Sequence, residues 1–525
     1  MQCHIQPSIF QPLTAPNAGP ATTMVSNRTY WPIVAVIFVI ALIVRVPTFT
    51  QPWVGVHNAW GGAYYSNVAR NFDRYGLETK LAPIVNTGVV DPAEFDVYYH
   101  HPVLSMWVTA VNFKILGERE WVARLAPLVF AMLTLAMLFV LARAAYGPGT
   151  ALVALGVLAV LPADAYYATH LDPYGSMAMF FMVASVDAYR RWHASNNNKH
   201  LGLCTAAIVL GCWTSWYSYL VVPGLVLHAW FTHDREWRKH TWMRLAVMPA
   251  ACIAVFAAFI LHRKLGLPES RGEVYGSLAQ RLLIRSVDLP VDRIEVAKTH
   301  LRYIWNLYTI PLIALIGAWC LFFASDVVRK RARTADWYVV IFLSVGVLYG
   351  LAFPGHLLSH DYFARAYAPG AALACAIALT RIVSISTPVS VRTIATGVAC
   401  ALVAVLPLMR TNDLYAGDDR RYGTNVKAEA HAMAAHTSPR ERVIMPIGDD
   451  RVLAYYADRR MTYEISTPAK VDSVAASLSG RAIFVVPNHD AVLYRDVLVH
   501  LRTKYSEEHA AGMSIFATDK PIERR

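Results

Sequence analysis

The feature that most constrains this chain is a series of long apolar runs, each of roughly 18 to 22 residues. A helix of that length rises about 30 Å, which matches the hydrocarbon core of a bilayer. Of the 525 residues, 56% are hydrophobic and only 16% are charged, whereas a soluble chain is about a quarter charged. We therefore predict an all-α polytopic membrane domain with about eleven transmembrane helices. The runs lie at about 31–47, 121–142, 150–166, 173–190, 201–216, 217–231, 243–262, 303–325, 336–353, 364–383 and 391–409.

Basic residues predict the orientation of these helices. They concentrate in three loops that fall on one side of the membrane, which is therefore the cytoplasmic side. This predicts a multi-pass protein of the cell membrane with a cytoplasmic N-terminus and an extracytoplasmic C-terminal domain. Arg45, near the end of the first run, is expected to extend its charge to the interface. The three loops contain Arg190, Arg191 and Lys199; Arg235, Arg238, Lys239 and Arg244; and Arg329, Lys330, Arg331 and Arg333.

The net charge of +12 raises the question of nucleic-acid binding. Much of the basic excess lies beside apolar runs, where membrane anchoring explains it better. We therefore predict membrane lipids as partners and no nucleic acid. The segment 263–302 mixes acidic and basic residues on the predicted outer side, and its bases can hold an anionic lipid headgroup.

Composition divides the chain into three parts. Residues 1–29 are polar and rich in Pro, Ser and Thr, and predict a disordered cytoplasmic tail. Residues 30–410 form the predicted membrane domain. Residues 411–525 alternate short apolar strands with helical segments, which predicts a small α/β domain. This domain has no glycine-rich phosphate loop, so we assign it no catalytic role. Its predicted strands are ERVIMPIG (441–448), RAIFVVP (481–487) and MSIFAT (513–518).

Polar and aromatic residues concentrate in a long loop after the first run. Residues 53–102 show little helix or strand signal, and long loops in compact proteins are commonly functional. The following run, 102–116, is too short to span and predicts a helix along the membrane surface. The predicted active-site loops are 48–117, 166–173, 263–302 and 354–363.

Several ionisable residues fall in these outer loops. Asp172 can face a cavity as a functional carboxylate, or it can cap the following helix with Pro173 at the first position; both roles can hold at once. Asp164 is a weaker candidate of the same type. His57 and the pair His100 and His101 suit a base, metal ligands or phosphate donors, although a structural role is equally open for each. The other residues in these loops are His300, Arg302, His356, His360 and Asp361.

The order of these features resembles the GT-C superfamily of membrane glycosyltransferases. The residues that carry the resemblance are YYHHPVL (98–104), the surface helix, and GEREWVARLAPLVF (117–130). Within the superfamily the chain looks most like the branch of dolichyl-phosphate-mannose protein mannosyltransferases and lipid A aminoarabinose transferases. The resemblance implies an outward active site that takes a sugar from a polyprenyl-phosphate carrier.

The resemblance also implies roles for particular residues. The acidic pair that the family has after its first helix falls on His57 and Asn58, so the expected carboxylate is missing. Either His57 acts as the base, or Asp172 does, or the acceptor needs little deprotonation. Asp172 matches the family's acid in the second outer loop. The remaining matches are His100–Pro102 and His360–Pro369.

We therefore predict transfer of a sugar from a polyprenyl-phosphate donor to a lipid, glycan or protein acceptor, with inversion, in the cell envelope. His57 and Asp172 are the predicted catalytic residues, and His101, Arg302 and His360 the predicted phosphate contacts. A divalent metal bound through His100 and His300 is a further expectation. A transporter or lipid flippase, and a non-catalytic relative that binds a lipid carrier, are the alternatives. The predicted substrate-binding residues are Asn58, Trp60, Tyr99, His101, Arg124, Arg302, His360 and Tyr362.

Overall fold

The structure is a computed structural model of the chain. Parts of the predicted tail (1–29) and of the predicted outer loop (263–302) lie outside the described residues. The structure describes residues 27–53, 56–98, 100–172, 175–233, 241–266, 293–385, 403–417, 426–446, 451–463, 465–477, 481–488 and 491–521.

The chain divides into two compact units. The first, called here the membrane unit, comprises Met1–Phe49, Tyr99–Ser105 and Arg124–Tyr415. The second, called here the mixed unit, comprises the remaining segments, Thr50–Tyr98, Met106–Ala123 and Ala416–Arg525. Each unit has its own apolar core.

Apolar helices make up most of the membrane unit. In the described ranges, four helices are long and apolar enough to cross a bilayer, or five if one bent pair counts as a single span. The predicted count of about eleven is therefore not confirmed. The principal helices are Asn27–Arg45, Glu120–Tyr146, Pro148–Val160, Ser176–Ser195, Asn198–Cys212, Val221–Thr232, Val247–Gly266, Arg293–Leu307, Ile310–Val328, Asp336–Ala352, Pro354–Ser359 and Ala368–Ile385.

Breaks in the helices account for part of this difference, and most of the predicted run 391–409 lies outside the described residues. The predicted run 150–166 bends by 59° between Val160 and Pro162. The adjacent predicted runs 201–216 and 217–231 are two short helices: the first ends at Cys212, and after a 3₁₀ turn over Trp216–Leu220 the second begins at Val221. Broken helices are tolerated at membrane depth only where other groups bond the freed backbone, so such breaks are candidate sites.

The mixed unit contains a five-stranded sheet, whose strands are β1 (Arg442–Met445), β2 (Arg460–Tyr463), β3 (Ala482–Pro487), β4 (Tyr505–Ala510) and β5 (Met513–Pro521). The order of the strands in the sheet is β2-β1-β3-β5-β4. β2, β1 and β3 are parallel, whereas β3, β5 and β4 are antiparallel. Its helices after residue 425 are Val426–His436, Arg451–Ala457, Pro468–Ser477 and Arg495–Lys504.

The three predicted strands are β1, β3 and β5, and all three are confirmed. They are buried on both faces: Val443 and Val485 belong to one core cluster, and Ile444 and Phe484 to the other. β2 and β4 were missed because they form the two sheet edges. The sequence of β4, YSEEHA, is polar, as is common for edge strands.

The prediction of an irregular loop after the first run is wrong over Val56–Tyr75, which is a 20-residue helix. Its buried face is partly polar, so the sequence lacks an apolar stripe. Asn67 and Asn71 are buried there and donate from Nδ2 to the carbonyls of Val85 and Ile84, each at 2.9 Å. A hydropathy pattern does not indicate a helix whose buried face carries hydrogen-bonding amide side chains in place of apolar ones.

Gly62 lets this helix pack against Trp53, which is almost completely buried. A Cβ at Gly62 would lie 2.1 Å from Trp53 Cε3, a distance that real contacts do not reach. Trp53 also donates its backbone N–H to the Tyr456 hydroxyl at 2.8 Å. The start of the mixed unit is thereby fixed to the helix Arg451–Ala457.

Asp458 joins three segments of the mixed unit. Its carboxylate accepts from Arg70 Nη1 at 3.1 Å, from Arg74 Nη2 at 2.6 Å and from the Gly88 backbone N–H at 3.2 Å. Burial alone would raise the pKa of Asp458, but the charges and hydrogen bonds of Arg70 and Arg74 outweigh it, so the pKa lies below its usual value. Asp458 has a φ of 47°, a conformation that Asn also tolerates.

We predict that Asp458 makes the stability of the mixed unit depend on pH. A carboxyl whose pKa is lower in the folded state stabilises fully above its unfolded pKa of about 3.9, and this contribution is lost as the pH falls through the folded pKa. The protection factors of the amides in residues 56–75 and 451–458 of the full-length protein, which compare each exchange rate with that of the unfolded chain at the same pH, should therefore fall as the medium is acidified toward pH 3. Asp458→Asn should lower these protection factors at pH 7 and remove most of their pH dependence.

Asp73→Asn, on the helix Val56–Tyr75 whose exchange is followed, is the matched control. Asp73 is exposed and lies 3.6 Å from Lys114, a surface pair of the kind that contributes about 0–1 kcal/mol. Equal effects of the two substitutions would contradict the role of Asp458.

Candidate active site

A buried ion cluster lies where the bent helix of the membrane unit breaks. Pro162 has no N–H, so the carbonyl of Leu158 loses its helical donor. Arg45 replaces it: its Nη2 donates to the Leu158 carbonyl at 3.0 Å and its Nη1 to the Ala159 carbonyl at 2.6 Å. The same Nη2 donates to Asp164 Oδ2 at 2.6 Å. Arg45 is fully buried, so the prediction that it extends to the interface is wrong.

Arg365 completes the cluster from the other side. It donates from Nε and Nη2 to Asp164 Oδ1 at 3.1 and 2.8 Å, and from Nη1 to the Tyr167 carbonyl at 3.0 Å. Its Nη2 also donates to Ser176 Oγ at 2.8 Å. Arg365 belongs to a 3₁₀ turn, Asp361–Tyr367, so this one side chain connects that turn to the bent helix and to the first residue of the helix Ser176–Ser195.

Asp164 is therefore a structural ion of the cluster, with both carboxylate oxygens bonded to arginine. A carboxylate without partners at mid-membrane is expensive, so the pairing accounts for its position. Arg45 and Arg365 did not appear among the predicted site residues. The signal that could have identified them is general: a charge inside or beside an apolar run needs a partner of opposite sign.

A second polar group lies beside the cluster. The Tyr167 hydroxyl donates to Asp361 Oδ1 at 2.6 Å. The negative charge of Asp172 acts on the hydroxyls of Tyr167 and Tyr217, so these side chains lie near one another. Tyr217 in turn donates to the Gly175 carbonyl at 3.3 Å. The structure thus brings Asp172 and Asp361, from two predicted active-site loops, to one end of the membrane unit.

Asp172 is not the N-cap residue of the helix that follows it. The helix begins at Ser176 and its N-cap residue is Gly175, so the predicted capping position, with Pro173 as the first helical residue, is wrong. Asp172 is partly exposed, and its functional role stays a prediction. The loop is tight: Gly175 N–H donates to the Asp172 carbonyl at 3.1 Å, and a Cβ at Gly175 would lie 2.9 Å from that carbonyl and 3.5 Å from both carboxylate oxygens.

Aromatic rings surround these acids. His360 and Tyr362 stack with centroids 4.9 Å apart and planes at 27°, and Tyr362 meets Tyr167 edge to face. His170 lies edge-on to Tyr166 and Tyr167, at 4.9 and 5.0 Å. His360 and Tyr362, two predicted substrate contacts, are therefore adjacent to Tyr167 and Asp361. Tyr167 and His170 were not among the predicted site residues.

The segment His100–Leu104 is held by its backbone. Trp216 Nε1 donates to the His100 carbonyl at 2.7 Å, and Arg263 Nη2 donates to the His101 carbonyl at 2.8 Å. Leu104 donates its N–H to the Trp213 carbonyl at 3.1 Å. The His100 side chain is exposed and that of His101 is buried. The broken helix at 212–220 thereby positions both predicted histidines.

The other predicted residues of this unit differ in accessibility. Arg124 is fully buried and donates from Nη1 to the Phe49 carbonyl at 3.1 Å, whereas Arg302 is exposed. His300 Nε2 lies 2.9 Å from the Tyr367 hydroxyl, and burial lowers the pKa of His300 below its usual value. Of these, Arg302 is the cation most accessible to a ligand.

The four remaining predicted residues are His57, Asn58, Trp60 and Tyr99. Asn58 is buried, and Trp60 stacks on Tyr64 with centroids 4.9 Å apart and planes at 7°, leaving Trp60 40% exposed. Both residues are in the mixed unit. The His57 side chain and Tyr99 lie outside the described residues.

The predicted metal finds no fitting donor set in the part of the chain that the structure describes. No group of three or more His, Cys, Asp or Glu side chains there is arranged to hold a metal ion. His300 instead shares a hydrogen bond with Tyr367. The metal through His100 and His300 stays a prediction, and no step below depends on it.

Sequence comparison identifies one family for part of the chain. The model of the dolichyl-phosphate-mannose-protein mannosyltransferase family matches residues 100–262, about a third of the chain. This range begins at His100, includes the bent helix and Asp172, and ends beside Arg263. No curated protein matches the chain.

Solved structures match over nearly the whole chain. ArnT from Cupriavidus metallidurans, bound to undecaprenyl phosphate, is 16% identical with a TM-score of 0.65, over 94% of this chain and 98% of that one. The oligosaccharyltransferase of Archaeoglobus fulgidus in its apo form is 11% identical with a TM-score of 0.63, over 92% of this chain and 73% of that one. The Archaeoglobus fulgidus oligosaccharyltransferase AglB, in complex with an inhibitory peptide and a dolichol-phosphate, is 12% identical with a TM-score of 0.58, over 91% and 73%.

The chain therefore has the fold of the GT-C superfamily of membrane glycosyltransferases, and the resemblance predicted from its sequence is confirmed. Within that superfamily, the family model that it matches is that of the protein mannosyltransferases. The coarse prediction of a helical membrane protein with a small C-terminal sheet is also confirmed.

We predict that Asp164 and Asp172 respond differently to neutralisation. Asp164→Asn leaves Arg45 and Arg365 buried without their counter-charge, and breaking a buried pair in this way costs about 3–5 kcal/mol. The thermal unfolding midpoint of the purified protein should therefore fall markedly for Asp164→Asn. Asp172→Asn should unfold close to the wild-type temperature, because Asp172 is partly exposed and is not the N-cap residue of the helix from Ser176.

Asp413→Asn, at an exposed position of the same unit, is the control and should change the midpoint little. An Asp164→Asn protein as stable as this control would contradict the structural role of the cluster.

Proposed function

We propose that this protein is a glycosyltransferase that moves a sugar from a polyprenyl-phosphate carrier to an acceptor at the outer face of the cell membrane. The observation that carries the proposal is the polar group around Asp172, Tyr167 and Asp361. It lies at helix breaks within the fold that ArnT and AglB also have. Those two proteins bind undecaprenyl phosphate and a dolichol-phosphate, respectively, which supports a polyprenyl-phosphate donor here.

The reaction needs two kinds of protein group. A base takes the proton of the acceptor hydroxyl while its oxygen bonds to the anomeric carbon of the sugar. The bond from that carbon to the phosphate oxygen breaks, and the electron pair leaves with the phosphate. Cationic and hydrogen-bonding groups stabilise the charge that gathers there. Attack on the face opposite the phosphate inverts the anomeric carbon.

Asp172 suits the role of the base. It is partly exposed, and a Cβ at Gly175 would lie only 2.9 Å from its backbone carbonyl, so Gly175 permits this position of the Asp172 backbone. Asp361 is less suited, because it already accepts the Tyr167 hydrogen bond. His57 remains the second proposed base at the position where the family has an acid. Arg302, His101 and His360 are the proposed phosphate contacts, and Arg302 is the exposed cation among them.

Orientation follows from the same geometry. The bent helix, the start of Ser176–Ser195 and the turn Asp361–Tyr367 meet at the Arg365 side chain. The helix Ile310–Val328 begins next to Tyr308, whose hydroxyl donates to the Ala364 carbonyl of that turn at 2.7 Å. The basic loop at residues 329–333 follows the other end of this helix. If the basic loop is cytoplasmic, the polar group faces outward.

Incubation with a radiolabelled polyprenyl-phosphate sugar tests the proposal against its alternatives. A transferase releases free polyprenyl phosphate and labels the acceptor. A flippase moves the intact donor across a vesicle bilayer without cleaving it, and a binding relative retains the donor without turnover. Donor cleavage by the wild-type protein supports the proposal, and retention or translocation of intact donor contradicts it.

Two carboxylate variants test the proposed base. Asp172→Asn should lower the transfer rate by about 10²- to 10⁴-fold, the usual contribution of a general base, with little change in donor binding. Asp413→Asn removes an equal charge at an exposed position and should transfer at the wild-type rate. Full activity of both Asp172→Asn and His57→Ala, at wild-type expression, would show that the base is assigned wrongly.

Gly175→Ala offers a test of positioning. The added methyl group would lie 2.9 Å from the Asp172 backbone carbonyl, so we expect the Asp172 backbone to shift and to carry the carboxylate with it. We expect a lower rate of transfer at unchanged thermal stability and unchanged donor affinity. Loss of stability in parallel with activity would instead indicate that Gly175 is required only for folding of the loop.

A further inference from the structure

A cavity of about 320 Å³ lies at the opposite end of the membrane unit from Asp172. Its walls are the ends of the helices Ile310–Val328 and Ala368–Ile385, the start of Asp336–Ala352, and Thr150. Both of the first two helices begin beside the turn Asp361–Tyr367 and run away from it. The cavity is therefore far from the proposed transfer site. Its lining residues are Thr150, Trp319, Phe322, Phe323, Asp326, Arg331, Arg333, Asp336, Ile377, Thr380, Arg381 and Ser384.

Three arginines and two aspartates give this cavity an excess of positive charge. Arg381 donates to both carboxylate oxygens of Asp326, at 2.5 and 3.2 Å. Arg333 Nη2 donates to Asp336 Oδ1 at 2.8 Å. The third guanidinium, that of Arg331, is exposed and makes no ion pair or side-chain hydrogen bond with any described residue. One cation of the cavity is thus available to a ligand.

Another wall of the cavity is aromatic. Trp319 and Phe323 stack with centroids 5.2 Å apart and planes at 13°. The Arg381 guanidinium lies over the Phe322 ring, 4.6 Å from its centroid, so the cationic and aromatic walls adjoin. Hydroxyl groups of Thr150 and Thr380, 3.5 Å apart, add polar contacts. A ligand that fits has an anionic part and an adjoining apolar part.

We propose that this cavity binds the phosphate group of an anionic membrane lipid, with Arg331 as the guanidinium that bonds it. Guanidinium groups match phosphate oxygens in charge and geometry. A volume of about 320 Å³ is at the small end of ligand pockets, which suits a headgroup whose acyl chains remain in the bilayer. The basic loop beside it predicts the cytoplasmic leaflet, where anionic lipids concentrate. The site serves lipid binding, and it does not depend on the proposed transferase activity.

Native mass spectrometry of the full-length protein in a neutral detergent tests the proposal. The probes are phosphatidylglycerol, phosphatidylcholine and inorganic phosphate. The wild-type protein should bind phosphatidylglycerol more tightly than phosphatidylcholine, and Arg331→Gln should weaken phosphatidylglycerol binding about tenfold, the effect of losing one charged hydrogen-bond donor. Arg329→Gln is the matched control: it removes the same charge from the same loop but does not line the cavity, and it should bind as wild type does.

A second variant separates the cavity from surface charge. Ser384→Trp places an indole at the cavity wall without changing the charge, and it should also weaken phosphatidylglycerol binding. Equal weakening by Arg329→Gln and Arg331→Gln, or unaltered binding by Ser384→Trp, would overturn the proposal, because a diffuse basic surface would then hold the lipid. Inorganic phosphate that binds as tightly as phosphatidylglycerol would also overturn it, since the ligand would be free phosphate.

Discussion

The membrane unit depends on the salt bridges between Asp164 and the arginines Arg45 and Arg365. Desolvating three charges costs several kcal/mol each, so such a cluster is kept only where hydrogen bonds satisfy it on all sides. Here they also repair a helix: Pro162 frees carbonyls at the bend, and Arg45 bonds them. Arg365 belongs to the turn at 361–367 and donates hydrogen bonds to the Tyr167 carbonyl and to Ser176. It therefore fixes the bend, this turn and the start of the helix at Ser176 to one another. Asp172, the proposed base, lies in the loop between the bend and this helix.

The sequence predicted the fold class and the GT-C resemblance because both rest on features that are local in the chain: apolar runs, buried strands and short motifs. It also placed Asp172 and Asp361 in predicted active-site loops. It missed Arg365 and Tyr167, whose roles come from contacts with residues far away in the chain. It took Val56–Tyr75 for a loop, since Asn67 and Asn71 occupy the buried face where a hydropathy pattern expects apolar residues.

Two carboxylates of one type, eight residues apart, take different roles because of their surroundings. Asp164 is fully buried and accepts arginine hydrogen bonds at both carboxylate oxygens, so its charge has a structural role. Asp172 is partly exposed, lies beside the Tyr167 and Tyr217 hydroxyls, and belongs to a loop that only glycine at position 175 accommodates without displacement. The bend at Pro162 separates these two environments, so a structural carboxylate and the proposed base lie close together in the chain.

Amide hydrogen exchange of the Arg365→Lys protein tests most directly whether this cluster holds the site together. Lysine keeps the charge but lacks the planar set of N–H donors with which the guanidinium bonds Asp164, the Tyr167 carbonyl and Ser176 at the same time. At a temperature where both proteins are folded, exchange should rise together in residues 166–172, in the first turn of the helix from Ser176, and in residues 361–367. A rise confined to residues 361–367 would contradict the account, because the three segments would then be held independently of Arg365.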